Sequence, residues 1–378
     1  MSELQPLGSG PVGVGVIGAG NISDTYLENL NSFPDIEVLI VGDLDETRAA
    51  EQAAKHTVPA SGSAEDVLAH PGVELVINLT IPAVHAAVSS AVIAAGKHVW
   101  SEKPIGIDRD SAAALLAQAD AAGLRVGVAP DTVLGPGIQS AKRAIERGDI
   151  GRPLFAQTTM QWQGPEIFHP NPAFLFATGA GPLFDMGPYY FSTLVHIFGP
   201  VATVAALGLK AQETRSVLVG PLAGQTFPVE VPSTINVLAE FEGGGQSQSL
   251  LSTDSPLLLQ GVVQISGTEG TITLPDPNMF TGHSAIIRPL ASRNSEQSWT
   301  EVLEEGTVVG RGLGALDMAR AIRSGRQHRA TGELGYHVLD TMLAAEESAA
   351  LREFVAVRSS VGPIEAMPID FDPFAATL

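Results

Sequence analysis

Short apolar runs alternate with helical stretches through the first third of the chain. The runs cover residues 12–17, 36–42, 74–79, 98–101 and 125–129. Short runs of this kind, bounded by turn residues, are typical of the buried strands of a parallel sheet, and the stretches between them have helical spacing. The alternation predicts an α/β fold whose first domain is a doubly wound parallel sheet of the Rossmann type, with helices on both faces.

The pattern becomes richer in strands after Asp131. A helix is predicted over residues 136–148, and strands over residues 154–163, 201–209, 235–242, 246–252, 262–265 and 271–274. Neighbouring strands joined by glycine turns predict an α+β domain with a large open, mostly antiparallel sheet. Helices over residues 313–324 and 334–352 follow, and the proline-bearing tail from residue 364 is expected to be an extended arm. We therefore place a domain boundary between residues 132 and 133.

Length and charge fit a two-domain enzyme. A chain of 378 residues, 44% of them hydrophobic, exceeds what one core usually organises. Acidic residues outnumber basic ones 41 to 21, and a net charge of -20 repels nucleic acid and anionic membrane surfaces. We therefore expect a small-molecule substrate, no nucleic-acid partner and no membrane partner.

The first residues, the lack of a long apolar stretch and the lack of cysteine predict a cytoplasmic protein. Residues 1–11 lack a basic run and an apolar core, and no stretch reaches the roughly twenty apolar residues of a membrane helix. The chain has no cysteine, which excludes disulfides, thiolate catalysis and cysteine-ligated metal. No cluster of His, Asp or Glu has metal-like spacing, so we expect no metal.

A glycine turn follows the first apolar run. Gly18 and Gly20 precede Asn21 and Ile22, where a helical stretch begins. Gly18 permits a sharp turn, Gly20 permits close approach of a pyrophosphate, and the helix N-terminus offers free N–H groups. Ser23 stands where a third glycine is usual, which weakens the fingerprint. Two nearby glycines also occur in plain turns, but the context of strand, turn and helix favours a dinucleotide site.

The second apolar run leads into Asp43, twenty-three residues past Gly20. A carboxylate at this distance accepts hydrogen bonds from an adenosine ribose and repels a 2′-phosphate, which favours NAD over NADP. Arg48 leaves NADP open, because its guanidinium is able to swing toward such a phosphate. A second interpretation makes Asp43 the cap of the next helix.

Two further strand ends bring polar residues to the edge where open α/β sheets bind ligands. Thr80 and Pro82 follow the third run, and His85 begins the next helix. Glu102 and Lys103 follow the fourth run, just before a proline. We predict that these residues line the cofactor site. His85 is equally well interpreted as a histidine bonded to backbone, and an isolated lysine such as Lys103 is also typical of a protein surface.

Four fragments in this order and spacing resemble the Gfo/Idh/MocA oxidoreductases, which include glucose-fructose oxidoreductase and inositol dehydrogenases. They are GAGNI at residues 18–22, TIP and a histidine at 80–85, GKHV at 96–99 and EKP at 102–104. The resemblance implies a dinucleotide-binding domain over residues 1–132 and a domain for substrate binding and oligomerisation over residues 133–378. It also implies a sugar or polyol substrate and a homodimer or homotetramer, because one face of the second sheet forms a subunit interface in the family.

A second cluster matches the family in part. Asp185 and Gly187 fit a family pattern of aspartate, glycine and histidine at alternate positions, but Tyr189 stands at the histidine position, as in some members. Asp185 and Tyr189 are four residues apart and share one face of a helix if the helix has already begun. Taken alone, the cluster would be a helix N-terminus with Asp185 as its cap and Tyr189 in the core.

Oxidation of an alcohol needs a hydride acceptor and a base that takes the hydroxyl proton. Lys103 and Tyr189 are the candidate acid/base groups. Both side chains have unperturbed pKa values of about 10, and burial beside a cationic nicotinamide lowers the pKa of a lysine. We expect these two residues to transfer the proton and Asp185 to orient the substrate hydroxyls or Lys103.

Substrate contacts are expected in the proline-rich loop over residues 165–172. Glu166, His169 and Asn171 are candidates to hold sugar hydroxyls, and Trp162 is a candidate to stack on a sugar or on the nicotinamide. Asp131, where the family often has asparagine or arginine, is a further candidate substrate contact. An ordinary surface loop beside a core tryptophan is an equally good interpretation.

These features predict an NAD(P)-dependent dehydrogenase or reductase that acts on a CH–OH carbon of a sugar, cyclitol or related polyol. Three alternatives stay open. They are an NAD-retaining lyase or glycosidase of the same family, a non-catalytic NAD-binding regulator, and an aldehyde or imine reductase of the biliverdin-reductase kind. Lys103 together with a tyrosine at position 189 argues against the regulator.

Overall fold

The computed structural model describes residues 8–378. Residues 1–7, part of the segment predicted to lack an export signal, lie outside the described residues. Within the described range, no helix combines the length and the apolar character needed to cross a membrane. The chain forms two compact units. Unit 1 takes the residues up to Gly135, Gly306–Tyr336 and Met367–Leu378, and unit 2 takes Pro136–Glu305 and His337–Ala366.

Strands and helices alternate up to residue 128. In chain order the elements are β1 (Val12–Ile17), α1 (Asn21–Leu30), β2 (Ile36–Gly42), α2 (Glu46–Lys55), β3 (Ala60–Gly62), α3 (Ala64–Ala69), β4 (Leu75–Asn78), α4 (His85–Ala94), β5 (His98–Ser101), α5 (Arg109–Ala122) and β6 (Val126–Val128).

Strands dominate the remainder of the chain. They and the late helices are α6 (Pro136–Glu146), β7 (Pro153–Gln161), α7 (Gly181–Phe198), β8 (Val201–Leu209), β9 (Thr214–Ser216), β10 (Thr226–Pro228), β11 (Thr234–Phe241), β12 (Gln246–Ser252), β13 (Leu259–Gly267), β14 (Thr271–Leu274), β15 (Ser284–Ile287), β16 (Trp299–Val302), α8 (Leu313–Ser324), α9 (Gly332–Leu351) and β17 (Val355–Ala356).

Unit 1 is built on a six-stranded parallel sheet in the order β3-β2-β1-β4-β5-β6. Every residue of β1, β4 and β5 is buried, which explains why most residues of these strands are apolar or glycine. The direction of the strand order changes between β1 and β4. Ligands of doubly wound sheets bind in the crevice at such a point, outside the carboxyl ends of the strands. The predicted Rossmann fold is confirmed.

Unit 2 contains a nine-stranded sheet in the order β16-β15-β14-β13-β7-β12-β11-β8-β17. Its pairs are antiparallel except β7 with β12, so the predicted mostly antiparallel sheet is confirmed. Residues of β11 alternate between buried and exposed positions, and α7 packs against the sheet through β7, β11 and β12. A separate hairpin of β9 and β10 lies beside a small core around Phe176 and Phe227.

The division into units differs from the predicted boundary. Unit 1 continues to Gly135 and also takes two late segments that the prediction assigned to the second domain. The reason is long-range pairing: the N–H of Val128 at the edge of the sheet donates to the carbonyl of Ala330 at 3.0 Å. The tail is not an extended arm at its end, because the N–H groups of Thr377 and Leu378 both donate to the Asp35 carboxylate.

Candidate active site

The loop after β1 is a tight glycine turn. Gly18 has a φ of 106°, and a Cβ at this position would lie 2.7 Å from the carbonyl of Leu79, so only glycine fits. A Cβ at Gly20 would meet no protein atom within 4 Å, so the protein itself does not require glycine there. Helix α1 begins at Asn21 without a side-chain cap, which leaves its N-terminus, including Ile22, suited to an anion.

Ser23 replaces the third glycine of the fingerprint without obstructing the loop. The residue is fully buried, and its hydroxyl donates to the carbonyl oxygen of Gly20 at 2.6 Å. The serine therefore fastens the start of α1 to the turn.

Asp43 lies at the end of β2 and is bonded to the glycine loop. Its Oδ2 accepts the N–H of Ala19 at 2.7 Å, and its Oδ1 accepts the half-exposed Arg48 guanidinium at 3.2 Å. The cap of α2 is Asp45, whose carboxylate accepts the N–H groups of Thr47 and Arg48. The interpretation of Asp43 as the helix cap is therefore wrong, and its contact with a ribose stays a prediction.

His85 joins the two loops that follow β4 and β5. Its Nδ1 lies 2.7 Å from the carbonyl oxygen of Pro104, and its Nε2 lies 2.8 Å from the carbonyl oxygen of Thr80. The residue is buried at the start of α4, directly after a turn that opens at Pro82. These contacts support the interpretation of His85 as a histidine bonded to backbone. The Thr80 hydroxyl in turn donates to Asn78 Oδ1 at 2.6 Å.

Glu102 faces the interior of unit 1. Its Oε1 accepts the hydroxyl of Tyr26 at 2.9 Å, and its Oε2 accepts the backbone N–H of Lys103 at 3.0 Å. The indole N–H of Trp100 donates to the Tyr26 oxygen at 3.3 Å. Burial, together with the charges of Glu102 and Asp131, raises the pKa of Tyr26 well above its usual value. Lys103 itself is half-buried.

Asp131 acts on α8. The residue is fully buried, and its Oδ2 accepts the N–H groups of Gly312 and Gly314 at 2.8 and 3.0 Å, at the start of the helix. Burial, aided by the charge of Glu102, raises the pKa of Asp131 to about 6. Oδ1 is buried without a hydrogen-bond partner among residues 8–378, and the contact of Asp131 with a substrate stays a prediction.

Asp185 and Tyr189 both lie within α7, one turn apart on the same face. The N-cap of this helix is Ala180, so Asp185 is not the cap, and the alternative interpretation of Asp185 is wrong. Asp185 is half-buried, and the Tyr189 side chain is buried. Their roles in proton transfer and orientation stay predictions.

Glu166 forms a buried ion pair inside unit 2. Only 6% of the residue is exposed, and its Oε1 pairs with the Arg215 guanidinium at 2.5 Å. The same guanidinium pairs with Asp254 Oδ1 at 2.5 Å and donates to the carbonyl oxygen of Thr253 at 2.7 Å. An internal ion pair uses Oε1, whereas Oε2 is buried without a hydrogen-bond partner in the described part of the chain. Contact of Glu166 with sugar hydroxyls stays a prediction.

Aromatic rings surround the other predicted residues of the loop. Trp162 stacks on Phe168, with ring centroids 5.5 Å apart, and the ring of His169 meets the edge of Phe174. The N–H of Asn171 donates to His169 Nδ1 at 3.1 Å, and the Asn171 residue is exposed. The loop thus presents aromatic and polar groups on unit 2, as a sugar-binding surface requires. Substrate contact by these residues stays a prediction.

Within unit 1, the predicted cofactor residues lie on the loops that leave the carboxyl ends of neighbouring strands β1, β2, β4 and β5. Within unit 2, Asp185 and Tyr189 share one helix face. The sequence interpretation missed Tyr26 and Arg215. In the sequence, Tyr26 belongs to the apolar stripe of α1, and the signal is that a tyrosine in a buried stripe needs a partner for its hydroxyl. For Arg215, the only feature in the sequence that indicates a buried ion pair is the position of a charged residue within a short strand.

Two family models match consecutive parts of the chain. Residues 12–129 match the model of an oxidoreductase family with an NAD-binding Rossmann fold, and residues 138–273 match the GFO/IDH/MocA C-terminal domain. The trans-1,2-dihydrobenzene-1,2-diol dehydrogenase of Sus scrofa is 29% identical over 266 residues, which cover 70% of this chain and 74% of that protein.

Solved structures share the fold. An NAD binding oxidoreductase from Klebsiella pneumoniae superposes with a TM-score of 0.81 at 23% identity, covering 93% of this chain and 100% of that one. Levoglucosan dehydrogenase in complex with NADH gives a TM-score of 0.79 at 21% identity, covering 92% of this chain and 100% of that one.

Proposed function

Because this chain belongs to the Gfo/Idh/MocA oxidoreductases, with an NAD-binding Rossmann domain, we propose that it is a dehydrogenase of sugars, cyclitols or related polyols. It transfers a hydride between NAD and a CH–OH carbon. The observation that carries the proposal is Lys103, placed after β5 at the edge of the sheet that also bears the glycine loop. The relatives named for dihydrodiol and levoglucosan oxidation support this class of substrate.

The residues of unit 1 fit the cofactor. The open space at Gly20 and the uncapped start of α1 suit a pyrophosphate, and Asp43 suits the adenosine ribose. The nicotinamide end of a dinucleotide that crosses this edge would lie nearer the loops after β4 and β5. These loops carry Thr80, Pro82 and Glu102. Bound NAD supplies the hydride acceptor.

Lys103 and Tyr189 move the proton. A neutral Lys103 amine accepts the hydroxyl proton of the substrate, and in reduction the ammonium form polarises the carbonyl and returns that proton. Tyr189 is the second proton-transfer group, and Asp185, one helical turn away, orients the substrate hydroxyls by accepting their hydrogen bonds.

The test of this function is a screen with purified protein. Monosaccharides, anhydrosugars, inositols and trans-dihydrodiols are offered with NAD or NADP, and formation of the reduced nicotinamide is followed by absorbance. Turnover of at least one polyol with release of the reduced cofactor supports the proposal. Tight binding of NAD with no turnover of any compound would contradict it and favour the regulator. Protein that retains its cofactor and converts a substrate without net reduction would favour the lyase or glycosidase.

Replacement of Asp43 tests the basis of the NAD preference. We expect Asp43→Ala to raise the Kd for NAD about tenfold, because the ribose loses a charged hydrogen-bond acceptor. Asp43→Asn is the matched control, since its amide oxygen still accepts the N–H of Ala19 while the charge that repels a 2′-phosphate is gone. Asp43→Asn is expected to bind NADP more tightly than the native protein. Titration of protein fluorescence gives both constants, and an unchanged Kd for NAD in Asp43→Ala would contradict the assignment.

The open sheet of unit 2 also fits a homo-oligomer. Leu207, Leu238 and Phe155 lie on the exposed face of neighbouring strands and are 68%, 52% and 46% exposed. Exposed apolar side chains on one face of a sheet are typical of a subunit interface. We expect light scattering to give the mass of two or four chains, and the mass of a single chain at micromolar concentration would contradict the assignment.

A further inference from the structure

The turn that carries Lys103 is held on both flanks by buried side chains of unit 1. On one flank, Tyr26 donates to Glu102 Oε1, and Glu102 Oε2 accepts the N–H of Lys103. On the other flank, His85 Nδ1 lies 2.7 Å from the carbonyl oxygen of Pro104. The backbone N–H of Glu102 also donates to the carbonyl of Asn78 at 2.9 Å, which keeps the turn in register with the end of β4.

We propose that Tyr26 and His85 are positioning residues, which place the Lys103 amine for proton transfer by fixing the backbone of residues 102–104. The proposal rests on the proposed function, in which Lys103 is an acid/base group. Neither residue needs to touch the substrate or the reacting atoms for this role.

The hydrogen-bond direction at Tyr26 is determined by its neighbours. The Trp100 indole is a donor only, so the Tyr26 oxygen accepts from it and the Tyr26 proton points to Glu102. Burial keeps that proton on the phenol, because it raises the pKa of Tyr26 far above its usual value. Tyr26 therefore donates to Glu102, and a hydrogen bond from a hydroxyl to a carboxylate is stronger than one between neutral groups.

His85 restrains two carbonyl groups at once. Its second ring nitrogen lies 2.8 Å from the carbonyl oxygen of Thr80. A ring that carries a hydrogen on both nitrogens donates to both carbonyls, whereas a neutral ring donates to one. The histidine thus ties the loop after β4 to the turn after Lys103.

The helices that supply these side chains start at the two cofactor loops. Helix α1 begins next to the glycine turn and carries Tyr26 in its second turn, and α4 begins at His85, after the loop of Thr80. Each helix is a rigid connection between a cofactor loop and the lysine turn. A lysine displaced by about 1 Å loses up to about 10²-fold in rate, because proton transfer depends on near-attack geometry.

Two variants test the proposal, each acting on a different flank. Tyr26→Phe removes only the hydroxyl, and His85→Phe keeps a ring but removes both ring nitrogens. We expect each to lower kcat about tenfold, to change the KM for NAD less than about threefold, and to displace the pKa seen in the pH profile of kcat. The matched control is Thr377→Val, which removes a hydroxyl from the buried Asp35 carboxylate of the same unit without contact to the lysine turn.

A readout without cofactor or turnover separates this proposal from the proposed function. The rate at which an amine-reactive reagent modifies Lys103 is measured by peptide mass spectrometry in the cofactor-free protein. We expect that rate to change at least about threefold in Tyr26→Phe and in His85→Phe, and to stay at the native value in Thr377→Val. Native kcat, native pH profile and native modification rate in either folded variant would overturn the proposal. Full activity of a Lys103→Met variant would overturn the proposed function instead, and the modification rates would still decide the positioning role.

Discussion

Replacement of Lys103 by methionine is expected to lower kcat by about 10²–10⁴-fold, the usual contribution of a general acid/base group. Methionine keeps the length of the side chain but can neither accept nor return the substrate proton. Tyr189→Phe is expected to fall in the same range, because it removes only the phenolic hydroxyl. The Kd for NAD is expected to change less than about tenfold in both variants, since the glycine loop and Asp43 are intact.

Matched substitutions separate lost chemistry from lost structure. Lys55→Met removes an exposed lysine of unit 1 that pairs with Asp24. Tyr190→Phe changes the residue that follows Tyr189 and removes a hydroxyl that accepts the N–H of Gly261. Both controls are expected to keep native kcat within about threefold, because neither side chain has a role in proton transfer. A Lys103→Met or Tyr189→Phe enzyme as active as these controls would remove that residue from the mechanism.

Loss of Arg215 is expected to have the largest effect on stability. Arg215→Met leaves the carboxylates of Glu166 and Asp254 without their cation, and breaking a buried pair from one side costs about 3–5 kcal/mol. All three side chains are buried or nearly so. For a unit of this size the loss corresponds to a fall in Tm of roughly 10 °C, which differential scanning calorimetry measures.

Two companion variants show whether the unpaired charges are the cause. Arg215→Met combined with Glu166→Gln and Asp254→Asn is expected to recover most of the lost Tm, because no unpaired charge remains buried. Lys210→Met breaks an exposed pair with Glu213 and is expected to leave Tm nearly unchanged. Equal Tm values for the native protein and Arg215→Met would show that the buried pairs do not stabilise unit 2.

The parts of the fold that were predictable are those in which burial imposes a local pattern. Strands β1, β4 and β5 are buried throughout, and most of their residues are apolar or glycine. Strands β9, β10 and β16 escaped prediction because they have only 3, 3 and 4 residues and are mostly exposed, which is too short for a pattern of alternation to be recognised. The membership of α8 in unit 1 could not be predicted either, because the sequence of an amphipathic helix does not show which core the helix packs against.

The residues of the candidate site also fall into two groups, those with a local signal in the sequence and those without one. The glycine loop and Lys103 are local motifs, and their residue types follow from turn geometry and strand ends. Tyr26 and Arg215 act through partners distant in sequence: Glu102 lies 76 residues from Tyr26, and Glu166 lies 49 residues from Arg215. The ion pair of Glu166 with Arg215 could not be predicted either, because a carboxylate in a loop shows its partner only after the chain has folded.

The most direct test of the central claim, that Lys103 and Tyr189 act in one proton transfer, is kcat of the double variant Lys103→Met with Tyr189→Phe on a polyol from the screen. Residues that act as a unit are strongly non-additive. The double variant is therefore predicted to be about as slow as the slower single variant. A kcat reduced by the product of the two single losses would show that the residues act independently and would contradict the shared proton transfer.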